Sequence, residues 1–130
     1  MWDDVGVLRT REGLERGLAK LDEHEQALRG VGLADTDRAF NLTWHDWINL
    51  ESLIRVSQTI ATAALAREDS RGAHFREDYP DTGSLEQTRY VRVREESDRL
   101  ICDEVPVSFS VVAPGESLID DEAGAPVATS

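Results

Sequence analysis

The chain has one cysteine, few basic residues and no long apolar run, and each shortage excludes a class of protein. Cys102 has no partner for an internal disulfide, which fits a reducing compartment. No apolar run is long enough to span a bilayer, and the start Met1-Trp2-Asp3-Asp4 lacks the basic residues of a secretory signal. We therefore expect a cytoplasmic protein with no direct membrane insertion.

Basic residues are outnumbered by acidic ones. The chain has 14 Lys and Arg against 26 Asp and Glu, which gives a formal net charge of -12. Because nucleic-acid affinity depends on clustered cations that neutralise phosphates, we exclude nucleic acid as a partner. The 130 residues, 40% of them hydrophobic, suit one modest core.

Apolar residues recur at helical spacing in two segments. The first helix is predicted from an N-cap at Thr10 to Gly30, and the second, longer helix from about Thr43 to Asp69. The second has two adjacent apolar stripes: Trp47, Leu50, Ile54, Ala61 and Leu65 in one, and Leu53, Val56, Ile60 and Ala64 in the other. One neighbouring helix does not cover so broad an arc, so another surface must cover part of it.

After Pro80 the pattern changes to alternation. Two strands are predicted around Tyr90 and Leu100, with residues 96–98 as the turn between them. The residues after Ala113 include proline, glycine and four carboxylates but no basic residue, which is typical of a flexible tail.

These patterns predict a mainly α fold. We expect an up-and-down three-helix bundle, similar to a spectrin repeat, with a C-terminal β-hairpin extension. The predicted divisions are a helical bundle domain at residues 1–80, a hairpin packed on it at residues 81–113, and a flexible acidic tail at residues 114–130.

Side chains that could bind a metal or act in catalysis do not group together. His24, His45 and His74 are far apart and none forms an i, i+4 pair, so no metal site is expected. Cys102 in a strand is more typical of a small buried hydrophobe than of a nucleophile. Residues 30–32 read Gly-Val-Gly without a third glycine at the needed spacing, so they do not predict a phosphate-binding turn.

The most specific segment is residues 67–80, REDSRGAHFREDYP, in which Gly72 can take a left-handed turn that ends the helix. This segment contains the motif S-R-G-A-H-x-R-x-D-x-P. Three other landmarks accompany it: M-W-x-x-V-G-V-x-R at residues 1–9, Phe40-Asn41 before the long helix, and Pro-Val-Ser-Phe at residues 106–109. In this order the landmarks resemble the C-terminal helical domain of the succinate dehydrogenase and fumarate reductase flavoprotein subunits. That family includes L-aspartate oxidase.

The resemblance implies a parent protein that is an FAD-dependent oxidoreductase of the succinate dehydrogenase/fumarate reductase type. Such enzymes move a hydride between the flavin and a small dicarboxylate such as succinate or fumarate. The glycine fingerprint for FAD and the catalytic residues belong to other parts of those proteins. We therefore expect a fragment that is inactive alone and holds no cofactor, catalytic residue or metal itself.

The resemblance also implies partners. They are the flavin-binding domain of the same protein and, in some complexes, an iron-sulfur subunit. Arg71, His74, Arg76 and Asp78 are the candidate contact residues, because a charged edge with interleaved aromatic residues suits docking. In the alternative interpretation, the segment is a self-contained helix cap closed by Arg71 and Asp69.

Two further interpretations concern the whole chain. As an isolated fragment, it would bury its broad apolar arc by forming a homo-oligomer. Alternatively, it is an independent three-helix protein–protein interaction module, or the corresponding domain of an L-aspartate oxidase.

Overall fold

The structure is a computed structural model that describes residues 1–33 and 35–117. Its elements in chain order are α1 (Trp2–Val5), β1 (Leu8–Arg9), α2 (Arg11–Gly30), α3 (Leu42–Ala66), β2 (Phe75–Arg76), β3 (Arg89–Glu96) and β4 (Arg99–Pro106). Helices α2 and α3 pack against each other, and the β3–β4 pair contacts α3. The predicted combination of helices with a small antiparallel hairpin is confirmed.

Helix α2 begins where the sequence predicts it. The Thr10 hydroxyl accepts a hydrogen bond from the backbone N–H of Gly13 at 3.1 Å, which satisfies one of the free donors of the first turn. Leu14, Leu21 and Leu28 are buried along one face of this helix. Their spacing of seven residues keeps them on the same side over four turns.

Helix α3 also begins at a side-chain cap but ends earlier than predicted. The Asn41 side chain accepts from the backbone N–H of Trp44 at 2.8 Å. The last helical residue is Ala66, and Arg67 is already extended, with φ of -85° and ψ of 114°. Asp69, the predicted last residue, therefore lies beyond the helix.

The core lies where α1, α2 and α3 meet. It consists of Val5, Leu14, Ala61 and Ala64, with Leu18 and Leu65 packed against them. A Cβ on Gly17 would lie 2.7 Å from the Cγ2 of Val5, so glycine at this position lets α1 rest directly on α2.

A third long helix is not confirmed within residues 1–33 and 35–117. Helix α1 is a single turn of four residues, and a Cβ on Gly6 would lie 2.3 Å from the carbonyl oxygen of Trp2. Because glycine has no Cβ, Gly6 can make this close approach, and the chain leaves the helix there and extends as β1. Asp4 holds α1 onto α2 through its carboxylate, which lies 2.6 Å from Lys20 Nζ.

Strands β3 and β4 form the predicted hairpin in an antiparallel register that pairs Glu96 with Arg99. Ser97 and Asp98 connect them with φ of 51° and 65°. Positive φ at both central residues is the conformation of a two-residue turn whose twist matches the strands it joins. The predicted position of the turn is confirmed.

The remaining predictions about chain organisation have a mixed outcome. The division at residues 80 and 113 stays a prediction. Most of the predicted flexible tail, residues 118–130, lies outside the described residues. None of the helices in residues 1–33 and 35–117 has the length and apolar character that crossing a membrane requires.

Candidate functional site

The candidate site is the segment after α3, residues 67–80, called the junction below. Gly72 has φ of 55°, the left-handed conformation expected of it. The prediction that Gly72 ends the helix is wrong, because α3 ends at Ala66. Gly72 instead lies in a turn closed by two backbone hydrogen bonds between Arg71 and His74, of 2.8 and 2.9 Å.

Arg76 closes the C-terminal end of α3 from inside the domain. Its guanidinium Nη1 donates to the backbone carbonyls of Ala64, Leu65 and Arg67 at 3.0, 3.1 and 3.0 Å. The last carbonyls of a helix have no partner within the helix, and a guanidinium with its five N–H donors can satisfy several of them. The Arg76 side chain is fully buried. Of the four candidate contact residues, Arg76 therefore presents no exposed side-chain surface within this chain.

Asp78 neutralises the buried guanidinium. Its two carboxylate oxygens each lie 2.7 Å from a donor of Arg76, Nε and Nη2, in the bidentate geometry that makes such pairs strong. One of them also accepts from the backbone N–H of Arg11 at 3.0 Å. The hydrogen bonds from Arg76 hold the pKa of Asp78 well below its usual range. Asp78 thus links the end of α3 to the start of α2.

Arg71 holds the opposite side of the junction. Its Nε lies 2.8 Å from Oδ2 of Asp69, the partner that the helix-cap interpretation gives it. The same Nε donates to the backbone carbonyl of Thr82 at 2.7 Å, Nη2 donates to the carbonyl of Ser84 at 2.9 Å, and Nη1 donates to the hydroxyl of Thr88. Arg71 therefore ties the junction to the loop that leads to the hairpin.

His74 is half-buried and faces the N-terminal segment. Its Nδ1 lies 2.9 Å from an Nη1 of Arg9. Because a guanidinium only donates, this nitrogen accepts and the ring proton is on Nε2. Burial lowers the pKa of His74, the positive charge of Arg9 lowers it further, and the carbonyl of Arg67 opposes the shift. The ring is therefore held neutral as a structural acceptor.

The second feature is an apolar surface on α3, called the α3 face below. Its central residues, Leu53, Val56 and Ile60, have exposed fractions of 62%, 56% and 47%. Beside them, an apolar groove of ≈ 440 Å³ runs between α2 and α3 and is lined by residues such as Leu21, Leu28 and Leu50. The prediction of an arc that a single helix does not cover is confirmed.

Comparison with known proteins identifies the family. A profile of the family described as "Fumarate reductase flavoprotein C-term" matches residues 1–117. The chain belongs to this family. Two similar proteins are the succinate dehydrogenase flavoprotein subunit of Coxiella burnetii and an L-aspartate oxidase of Ralstonia nicotianae. The first is 37% identical over 71% of this chain and 16% of its own length. The second is 38% identical over 63% of this chain and 14% of its own length.

Solved structures agree with the family. A variant of E. coli quinol fumarate reductase superimposes with a TM-score of 0.81 at 25% identity, over 89% of this chain and 20% of that one. The chain thus spans between 14% and 20% of the length of these relatives and of this structure.

Within this flavoprotein C-terminal domain, the four predicted contact residues lie in one junction but do not form one surface. Arg76 is enclosed, Asp78 and Arg71 are engaged in internal ion pairs, and His74 accepts from Arg9. The Arg71–Asp69 pair of the helix-cap interpretation is present, but Arg76, not that pair, reaches the carbonyls at the end of α3. A role for these residues in partner contact stays a prediction.

Sequence reasoning missed Arg9 and Arg11 as partners of the junction. Arg9 reaches His74, while Arg11 contributes its backbone N–H to Asp78 and its side chain to Glu68 at 2.7 Å. Arg9 is part of the M-W-x-x-V-G-V-x-R segment that marks the family, and this co-occurrence with the junction motif was the available signal. Local pattern alone does not distinguish these arginines from solvated ones.

Flavin phosphates and metal ions each bind at a particular kind of site. Both long helices begin with protein oxygens at their N-termini, Thr10 and Asp78 at α2 and Asn41 at α3. Pyrophosphate groups bind where such N–H groups are free. Residues 1–33 and 35–117 contain no cluster of three His, Cys, Asp or Glu side chains able to hold a metal ion. Burial raises the pKa of the Cys102 thiol, and Asp103 and Glu104 add to this, so the reactive thiolate is disfavoured.

Proposed function

We propose that this chain is the C-terminal helical domain of a longer FAD-dependent oxidoreductase of the succinate dehydrogenase/fumarate reductase type. Within that protein it acts by packing against the flavin-binding domain and by contributing to subunit contact. The observation that carries the proposal is the α3 face, whose Leu53, Val56 and Ile60 are exposed in a chain that matches the family over residues 1–117. Exposed apolar surface of this kind marks an interaction site.

The reaction belongs to the whole protein. We propose hydride transfer between FAD and a small dicarboxylate such as succinate or fumarate. The name of the Coxiella burnetii relative, a succinate dehydrogenase flavoprotein subunit, supports it. Because residues 30–32 lack the third glycine of a phosphate-binding turn, we assign FAD binding to the portion of the parent that this chain does not span. The proposed location is the cytoplasm.

The junction has a supporting role in this proposal. Arg76 and Asp78 fix the path of the chain between α3 and α2 from inside the domain. Their neighbours Phe75 and Glu77 are exposed and are available for contact with the flavin-binding domain or an iron-sulfur subunit. Arg71, His74 and Asp78 stay candidate contact residues in this proposal, and Arg76, which is fully buried, supports that contact by positioning.

The test uses the flavin-binding portion of the parent, produced together with the 130-residue chain. Val56→Glu places a charge on the α3 face, and Val111→Glu makes the same change at an exposed position outside that face. We expect the wild-type chain and Val111→Glu to co-purify with the flavoprotein portion, and Val56→Glu to lose it. Circular dichroism should show that all three chains are folded, since both valines are exposed. Equal co-purification of all three would contradict the proposed packing surface.

Activity separates this proposal from its alternatives. The chain alone should be colourless and inactive, and the reconstituted protein should reduce a dye with succinate. A stoichiometric flavin spectrum from the chain alone would be incompatible with the proposal. The Ralstonia nicotianae relative favours L-aspartate oxidase as a second candidate, which would oxidise L-aspartate instead.

Self-association of the isolated chain is a separate expectation. With the α3 face uncovered, we propose a homodimer or higher oligomer, which light scattering would detect. Val56→Glu should shift the population toward monomer. A strict monomer at high concentration, together with failed reconstitution, would favour an independent interaction module.

A further inference from the structure

The hairpin formed by β3 and β4 lies on the helices without a buried anchor. Across residues 89–106, every side chain is exposed or only half-buried. Two open grooves lie where the hairpin meets the helices, one of ≈ 480 Å³ beside Val91 and one of ≈ 390 Å³ beside Leu100. Apolar burial, the usual source of strong docking, therefore contributes little here.

The tip of the hairpin is held by ion pairs. Arg55 of α3 donates from Nη2 to Glu95 at 2.7 Å and to Asp98 at 3.2 Å, and from its Nε to Glu95 at 3.2 Å. Arg29 of α2 lies 3.5 Å from Asp98. The two carboxylates are about half to two-thirds exposed, at 49% and 69%.

The base of the hairpin is held differently. Arg71, itself half-buried, donates to the backbone of the loop before β3 at Thr82 and Ser84. Arg67 adds a bond of 3.3 Å to the carbonyl of Arg89. Two arginines thus hold the base through backbone groups, whereas the tip depends on charge pairs that are open to solvent.

We propose that the hairpin is a hinged arm, fixed at its base by Arg71 and latched at its tip by Arg55, which swings off the helices as a unit. Exposed ion pairs are weak and are screened by salt, so the latch opens more easily as ionic strength rises. The hairpin itself stays paired, since its ladder of cross-strand bonds runs over all eight residues of each strand. The proposal does not depend on the proposed function.

Amide hydrogen exchange of the 130-residue chain, followed by mass spectrometry, tests the latch. Arg55→Gln removes the Arg55 pairs with Glu95 and Asp98 and leaves the 3.5 Å Arg29–Asp98 pair. We expect the hairpin amides that the β3–β4 ladder does not pair to exchange about threefold to tenfold faster at low salt, with the ladder amides and the central amides of α2 and α3 unchanged. In the wild type, raising the salt from about 20 mM to 500 mM should produce the same change, because the Debye length falls below about 5 Å. Arg55→Gln should lose most of that salt response.

Arg92→Gln is the matched control. Arg92 pairs with Asp103 on the neighbouring strand. The substitution therefore removes an ion pair inside the hairpin and leaves the Arg55 latch intact. If exchange is faster in Arg92→Gln and unchanged in Arg55→Gln, the proposal is overturned. The salt response would then come from the β3–β4 ladder and not from the Arg55 latch. Unchanged exchange in Arg55→Gln would overturn it as well.

The single cysteine provides an independent readout. Cys102 lies opposite Val93 and two residues from Leu100, which places it on the strand face that carries Leu100 toward the helices. Arm opening should therefore expose it. Alkylation of Cys102 should be about threefold to tenfold faster in Arg55→Gln than in the wild type at equal pH and salt. An unchanged rate would contradict the swing.

Discussion

Arg76→Ala is expected to lower the free energy of unfolding by about 3 to 4 kcal/mol. None of the Arg76 side chain is exposed, and it donates five hydrogen bonds: two to the carbonyls of Ala64 and Leu65 in the last turn of α3, one to the carbonyl of Arg67 just after it, and two to Asp78. Breaking a buried pair by removing one partner costs roughly 3 to 5 kcal/mol. The lower part of that range applies because the Asp78 side chain is 27% exposed and can rehydrate.

Urea unfolding of the 130-residue chain, followed by far-ultraviolet circular dichroism, measures the effect. Arg76→Lys should lie between wild type and Arg76→Ala, because an ammonium keeps the charge but lacks the planar fork that reaches Asp78 and the carbonyls together. Arg94→Gln is the control. Arg94 pairs with Glu96 in the hairpin, where both side chains are about half exposed, so its loss should cost under about 1 kcal/mol.

The result that would refute this reasoning is specific. If Arg76→Ala destabilises no more than Arg94→Gln, the guanidinium does not close the end of α3 and the buried pair contributes nothing net. A loss with Arg76→Ala that Arg76→Lys restores in full would show that charge alone matters and that the bidentate geometry does not.

Two other predictions concern His74 and the glycines of α2. Because the folded-state pKa of His74 is below the usual 6.5, the unfolded chain binds its proton more readily, so stability present above about pH 6.5 should fall on acidification. In His74→Gln, the melting temperature should fall less between pH 7 and pH 5 than it does in the wild type. An equal fall in both proteins would exclude His74 as the cause. Gly17→Ala should destabilise by about 1 to 2 kcal/mol because its methyl would meet Val5. Gly30→Ala, with open space around it, should be neutral or stabilising by up to about 1 kcal/mol in the same denaturation assay, and equal effects would disprove the close contact.

Local patterns predicted the parts of the fold that depend on neighbours in sequence. Thr10 caps α2, and the hairpin turns at Ser97 and Asp98, because caps and tight turns form within a few residues. The apolar arc of α3 was predicted on the same basis, since helical spacing places Leu50 and Leu53 on adjoining stripes. The family resemblance rested on short segments in a fixed order.

The exact end of α3 and the role of each arginine depended on distant residues. The local sequence around Arg76 does not distinguish it from a surface arginine. It is buried because the junction brings it back to the end of α3, where Asp78 neutralises its charge. His74 was expected outside and instead accepts from Arg9, 65 residues away.

The sequence by itself determined the two long helices, the hairpin, the acidic surface and the family, because each depends on local spacing, composition or ordered motifs. Tertiary structure decided that the N-terminal segment forms one helical turn and a strand beside β2, and a third long helix that would complete the predicted bundle is not found in residues 1–33 and 35–117. It also decided which charges are enclosed. The physical reason is that burial and pairing depend on where the chain returns in space, and the energy of a guanidinium in water differs greatly from its energy inside a domain.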